Sequence, residues 1–146
     1  MTTVETPTVP FPSLAWFQAL ADAAARDPDR YRRLGWVELV LGVVVGEERY
    51  RLTFDGYTCT SVAPWVPGER VDCWVEASAA DWRELIEHLQ ARGRADAHHT
   101  LNSLVLAGDR FRLGADEQLG ADAFYRFNAT LQAFIEEARH VPTEFR

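Results

Sequence analysis

Hydrophobic and polar positions change period several times along the chain, and each change marks an element. Behind Ser13, a good N-cap, Leu14, Phe17, Leu20 or Ala21, and Ala24 recur at helical spacing, which predicts a helix over residues 14–26. Asp27-Pro28 ends it, and a helical turn over 29–34 closes at Gly35. Residues 36–45 are β-branched and apolar on both faces apart from Glu38, the pattern of a central strand. After Gly46-Glu47-Glu48 the period becomes two. Tyr50, Leu52 and Phe54 fall on one face, and Arg49, Arg51 and Thr53 on the other. Asp55-Gly56 is a hairpin signal, returning the chain as a third strand over 57–62. A loop with Pro64 and Pro67-Gly68 leads to a fourth strand over 71–76, expected to continue an antiparallel meander.

Helical spacing then returns. Ser78, with Asp81 three residues on, opens a helix whose stripe is Trp82, Leu85, Ile86 and Leu89 and whose end is Arg92-Gly93. Residues 94–100 read as loop, and 101–106 fit a strand or a helical turn equally well. Gly108-Asp109 turns into a fifth strand over 110–113. Leu119, Ala123, Phe124, Phe127, Leu131, Phe134, Ile135 and Ala138 then step along one face of a single predicted helix, residues 119–139. Asp122, Arg126, Gln132, Glu136 and Arg139 take its other face. Residues 1–12, with Pro7, Pro10 and Pro12, read as an extended arm. No repeat or linker divides the chain. It is expected to be one α+β domain, residues 1–146, with its core in 13–139 and the closing helix laid on the sheet.

Composition narrows the function classes. At 146 residues a domain buries roughly 70% of the surface of its unfolded chain, enough for a core without disulfides. The formal net charge is −7, which argues against a nucleic-acid partner. All 15 basic residues are arginine, so chemistry through a lysine Schiff base or a phosphate-loop lysine is excluded. The longest apolar run, residues 39–45, is far too short to cross a bilayer. The first residues have no basic start followed by an apolar stretch, so a cytoplasmic protein is expected. Cys59 and Cys73 are not in a C-x-x-C pair and read as small buried hydrophobes on strands.

Candidate chemistry is sparse. His88 and His140 lie on predicted helices and His98-His99 in a loop, with no carboxylate or cysteine at a ligand spacing such as H-x-x-x-H. No metal and no cofactor are assigned. His99 is a conceivable general base, but it has no visible partner and reads as solvated. Glu38 reads either as a buried acid or base, or as an outward residue paired with Arg49 or Arg51. The four serines, Ser13, Ser61, Ser78 and Ser103, do not sit in G-x-S-x-G, and neither G-x-G-x-x-G nor a Walker loop is present. No catalytic residue is assigned. What stands out is aromatic: five tryptophans and eight phenylalanines, which fill a core or line an apolar cavity.

Two segments carry a family resemblance. The run Val71-Asp72-Cys73-Trp74-Val75-Glu76-Ala77-Ser78-Ala79-Ala80-Asp81-Trp82 joins a strand with an Asp-Cys step to a capped helix opening on Asp and an aromatic. The run Gly108-Asp109-Arg110-Phe111-Arg112-Leu113-Gly114 is a Gly-flanked strand before a closing helix. Together with the hairpin at Asp55-Gly56 they resemble the sterol carrier protein type-two domain family over residues 36–139. The resemblance implies a curved, mainly antiparallel five-stranded sheet covered on one face by helices, with a lipid, sterol or acyl chain held in a tunnel between the layers. By resemblance Leu85, Leu89, Phe111, Phe124, Phe127 and Leu131 line that tunnel. The 93–103 loop and the closing helix are longer than the family's pattern. The chain ends Glu144-Phe145-Arg146, without the small-basic-leucine peroxisomal address of some members.

Three readings follow. The first is a non-enzymatic carrier of an apolar small molecule. The second is a small cofactor-free isomerase, cyclase or hydrolase using Glu38, Asp55, Asp72 or His99 as acid or base. The third is a non-catalytic accessory subunit whose apolar helix face meets a protein partner or a second copy of itself.

Overall fold

The computed structural model describes residues 7–146. In chain order these form β1 (Val9–Phe11), α1 (Leu14–Ala25), α2 (Pro28–Leu34), β2 (Val37–Val45), β3 (Glu48–Gly56), β4 (Cys59–Pro64) and β5 (Cys73–Ala77). Then come α3 (Ala79–Arg92), α4 (Leu101–Ala107), β6 (Arg112–Gly114), α5 (Gln118–Arg126), α6 (Asn128–Glu136), a 3-10 turn (Glu137–His140) and β7 (Thr143–Phe145). The caps read from the sequence are made. Ser13 Oγ accepts from the Trp16 N–H at 3.0 Å, and Ser78 Oγ from the Asp81 N–H at 3.1 Å. Residues 101–106, ambiguous by period, are helical because Thr100 Oγ1 accepts from the Ser103 N–H at 3.1 Å and Gly108 closes the turn left-handed.

Five strands make one mixed sheet in the order β4-β3-β2-β5-β6. Three of its four pairings are antiparallel, and helices cover one face. The fourth pairing corrects the expected meander: β5 runs parallel to β2, with Leu41 opposite Cys73. A parallel neighbour requires a crossover. The chain makes it over the outer face, where Trp65 and Val71 pack on Val44 beside Val40 and Trp74. Gly42 lies beneath, where a Cβ would come within 2.8 Å of the Trp65 ring. Asp72 fastens the far end of the crossover. Its N–H donates to Val40 O at 2.8 Å, and its Oδ2 accepts from the Val40 N–H at 2.7 Å.

Period two places the core. Register sets Leu39 opposite Phe54, Leu41 opposite Leu52 and Val43 opposite Tyr50, all buried beneath the helices. The predicted closing helix is broken. Phe127 leaves helical geometry at φ −101°, ψ 16°, so α5 and α6 are separate, and the 3-10 turn ends the run. Leu119 does not join the apolar face but is 72% exposed. Of the predicted N-terminal arm, residues 1–6 lie outside the described residues. Residues 9–11 form β1, which pairs in parallel with β7, a strand the sequence pattern did not mark. Phe11 there packs on Trp16, Phe17 and Phe145.

Candidate functional site

Between sheet and helices lies a small cavity of about 30 Å³, lined by buried residues. Its floor is Leu41, Val43, Leu52 and Val75 from β2, β3 and β5. Phe17 and Leu20 of α1 and Leu131, Phe134 and Ile135 of α6 roof it, and Trp82, Leu101 and Phe124 complete the wall. Every lining side chain is apolar apart from the indole nitrogen of Trp82, which donates to Val44 O at 2.9 Å. A space of this size holds about one water by volume, but without polar partners such a space stays dry.

Of the six residues that the sequence resemblance assigns to a tunnel, Phe124 and Leu131 face this cavity. Leu85, Leu89 and Phe111 are fully buried in the surrounding core without lining it, and Phe111 meets the Trp82 ring edge-to-face at 4.9 Å. Phe127, at the helix break, is half-buried and lines a surface cleft instead. Phe17, Leu20, Leu41, Val43, Leu52, Val75, Trp82, Leu101, Phe134 and Ile135 also line it and are not among those six. Trp82, Phe134 and Ile135 are on predicted buried stripes, but an apolar stripe alone does not separate a wall from filled core.

The cleft beside Phe127 runs along α5. Glu38, Asp72, Asp116, Glu117, Arg70 and Arg126 line it together with the apolar Val71, Leu119 and Ala123. The helix sits close there because Gly120 rests on the backbone of Asp72, where a Cβ would lie 1.8 Å from the carbonyl oxygen. Glu117 occupies the N-cap position of α5 without making a side-chain cap bond.

None of the four candidate acid–base groups lines the cavity; Glu38 and Asp72 share the α5 cleft, and His99 lies apart from them. Glu38 and Asp55 are exposed and stand opposite each other in the β2–β3 register. The expected pairing of Glu38 with Arg49 or Arg51 is absent, because register places those arginines opposite Val44 and Gly42. Arg49 instead lies 3.7 Å over the Trp65 ring, and Arg51 bonds Glu69 at 2.6 Å. Asp72 is engaged by the Val40 N–H.

His99, read as solvated, has two partners. Its Nδ1 is 2.7 Å from Asp96 Oδ1 and its Nε2 2.8 Å from Glu84 Oε1, and its ring stacks on His88 at 3.7 Å. Partial burial disfavours the charged ring, but the hydrogen bonds and charges of Asp96 and Glu84 outweigh it and raise the His99 pKa above the ordinary histidine value. Asp96 is held below the usual carboxylate range, first by the His99 hydrogen bond. Ligand atoms of His88, Asp96 and His99 lie within 4.8 Å of one another, a cluster that the sequence spacing did not reveal. The two rings are only 8° from parallel, so their nitrogen lone pairs do not converge on one point. Both His99 nitrogens are already on carboxylates, and His88 Nε2 accepts from the Asp96 N–H at 3.3 Å. The arrangement is a clasp tying the 94–100 loop to α3. Both cysteines are free thiols, each pushed up to about 12 by burial.

No protein-family model matches the sequence, and no curated protein matches it. Solved structures do. Sterol carrier protein 2 superposes with a TM-score of 0.63 at 18% identity, over 87% of this chain and 95% of that one. The conserved hypothetical protein TT1886 from Thermus thermophilus gives 0.58 at 18% identity, over 90% of each chain. The UbiJ-SCP2 ubiquinone synthesis protein gives 0.53 at 17%, over 85% of this chain and 92% of that one. What is shared at this identity is the fold: the chain has an α+β fold like that of sterol carrier protein 2. No helix among the described residues is long and apolar enough to cross a membrane.

Proposed function

We propose that this chain binds and carries an apolar small molecule, a lipid, sterol or acyl chain, between its sheet and its helices. The observation that carries the reading is the apolar-lined cavity in that layer. Two proteins of like fold are named for sterol carriage and for ubiquinone synthesis, both concerned with large apolar molecules. Each methylene removed from water contributes about 0.8 kcal/mol, so affinity needs no catalytic group.

At about 30 Å³ the cavity, lined by buried side chains, is an order of magnitude below a ligand pocket of about 300–1,000 Å³. Loading therefore requires a wall to move. In this reading the wall is α5. It is separated from α6 by the break at Phe127, its first turn has no side-chain cap, and of its side chains only Phe124 faces the cavity. Swinging it out withdraws Phe124 and joins the cavity to the flanking cleft. We place this carrier in the cytoplasm, where Cys59 and Cys73 stay thiols.

Native mass spectrometry of freshly purified protein tests the reading, followed by titration with sterols, fatty acids and acyl-CoA on tryptophan fluorescence. Trp82 borders the cavity and reports on filling. A copurifying apolar adduct or saturable quenching is the expected result. A ligand-free protein indifferent to all three classes refutes it.

A further inference from the structure

The cavity has nothing to offer a charge. Its one polar side-chain atom, Trp82 Nε1, is already bonded to Val44 O. An unpaired charge in apolar surroundings is far costlier than an unpaired hydroxyl, so any charged head group must stay at the mouth.

If α5 is the moving wall, the mouth is the cleft on its flank. Four carboxylates line that cleft, Glu38, Asp72, Asp116 and Glu117, against two guanidinium groups. Of these, Arg70 lies 3.9 Å from Glu117, and Arg126 stands 5.7 Å from the ring of its neighbour Phe127. The remainder is negative, on a chain of net charge −7 without a lysine. An excess of carboxylate along a cleft raises the cost of bringing an anion into it.

We infer that the ligand is uncharged, a lipid whose head is a hydroxyl or carbonyl, as in a sterol, a long-chain alcohol or an isoprenoid, and that the α5 cleft turns away carboxylate and phosphate heads. This rests on the carrier reading and narrows it to a ligand class.

The test compares ligands with the same chain and different heads. Cetyl alcohol and palmitate are titrated as monomers into the full chain near neutral pH, with cholesterol as a second uncharged ligand. The alcohol is expected to bind at least tenfold more tightly than palmitate. The double variant D116N/E117Q, which removes two of the four carboxylates, is expected to narrow that gap at least threefold. Palmitate binding as tightly as the alcohol overturns the inference and leaves the carrier reading standing. A gap unchanged in the variant overturns the assignment of discrimination to this cleft. Failure of all three ligands to bind overturns the carrier reading and this inference with it.

Discussion

Replacing Gly120 by alanine tests how α5 is held. In an open helix the substitution stabilises by up to about 1 kcal/mol, because glycine is the poorer helix former. Here the new Cβ would lie 1.8 Å from the Asp72 carbonyl oxygen. That carbonyl has little freedom to give way, since the same residue is bonded to Val40 through both its N–H and its side chain. The helix must retreat, by about 1.5 Å to reach ordinary van der Waals separation. Overpacking of this kind costs about 1–3 kcal/mol and outweighs the propensity gain. The expected net loss is about 1–2 kcal/mol, a fall in Tm of about 3–6 °C for a chain of this size. Thermal unfolding followed by circular dichroism measures it. Amide exchange should quicken in α5 and stay slow in β2 and β3. A higher Tm for G120A would mean that α5 does not rest on Asp72, and the moving-wall argument would fall with it.

Other substitutions address the cavity, the indole bond and the clasp. Leu131→Ala and Leu85→Ala should each cost about 2–5 kcal/mol, but only the first enlarges the existing cavity. Benzene should therefore raise the Tm of L131A more than that of L85A, and equal shifts would refute the placement of the cavity. Trp82→Phe removes the indole bond to Val44 O, a carbonyl that keeps its place in the β2–β5 ladder, and should cost about 0.5–1.5 kcal/mol in urea denaturation. A neutral result would show that the indole bond is replaceable. Because the His99 pKa is raised by folding, its clasp stabilises fully below the unfolded histidine value of about 6.5 and fades as pH rises through the folded value. The stability gap between wild type and His99→Gln should thus be largest at about pH 5 and shrink toward about pH 9, and a pH-independent gap would contradict the ion-pair geometry.

Local chemistry made most elements legible. Ser13, Asp27, Ser78 and the left-handed Gly93 and Gly108 mark helix ends whatever surrounds them. The position of β5 was not legible, because the alternation of Cys73, Trp74 and Val75 suits a parallel neighbour as well as an antiparallel one. The crossover is decided by Trp65 and Val71 reaching Val44, a tertiary fact. The break at Phe127 was hidden because Phe124, Phe127 and Leu131 keep helical spacing straight through it, and neither proline nor glycine stands there. The clasp was half visible: Glu84 and His88 are one helical turn apart, but only the folding back of the 94–100 loop brings Asp96 and His99 to them. Whether aromatic stripes enclose space or fill it depends on layer separation, which no periodicity encodes.

The pairing of β1 with β7 governs the order in which the molecule is completed. The bond from Trp16 Nε1 to Thr143 Oγ1 spans 127 positions, and Phe11 and Phe145 close the same corner. Contacts of such sequence separation form late, because loop closure precedes any gain from them. A ribosome releases β1 long before β7. Until β7 emerges, therefore, the aromatic corner of Phe11 and Trp16 lacks the strand that seals it, and a nascent chain carries that corner open while every element between β1 and β7 is made.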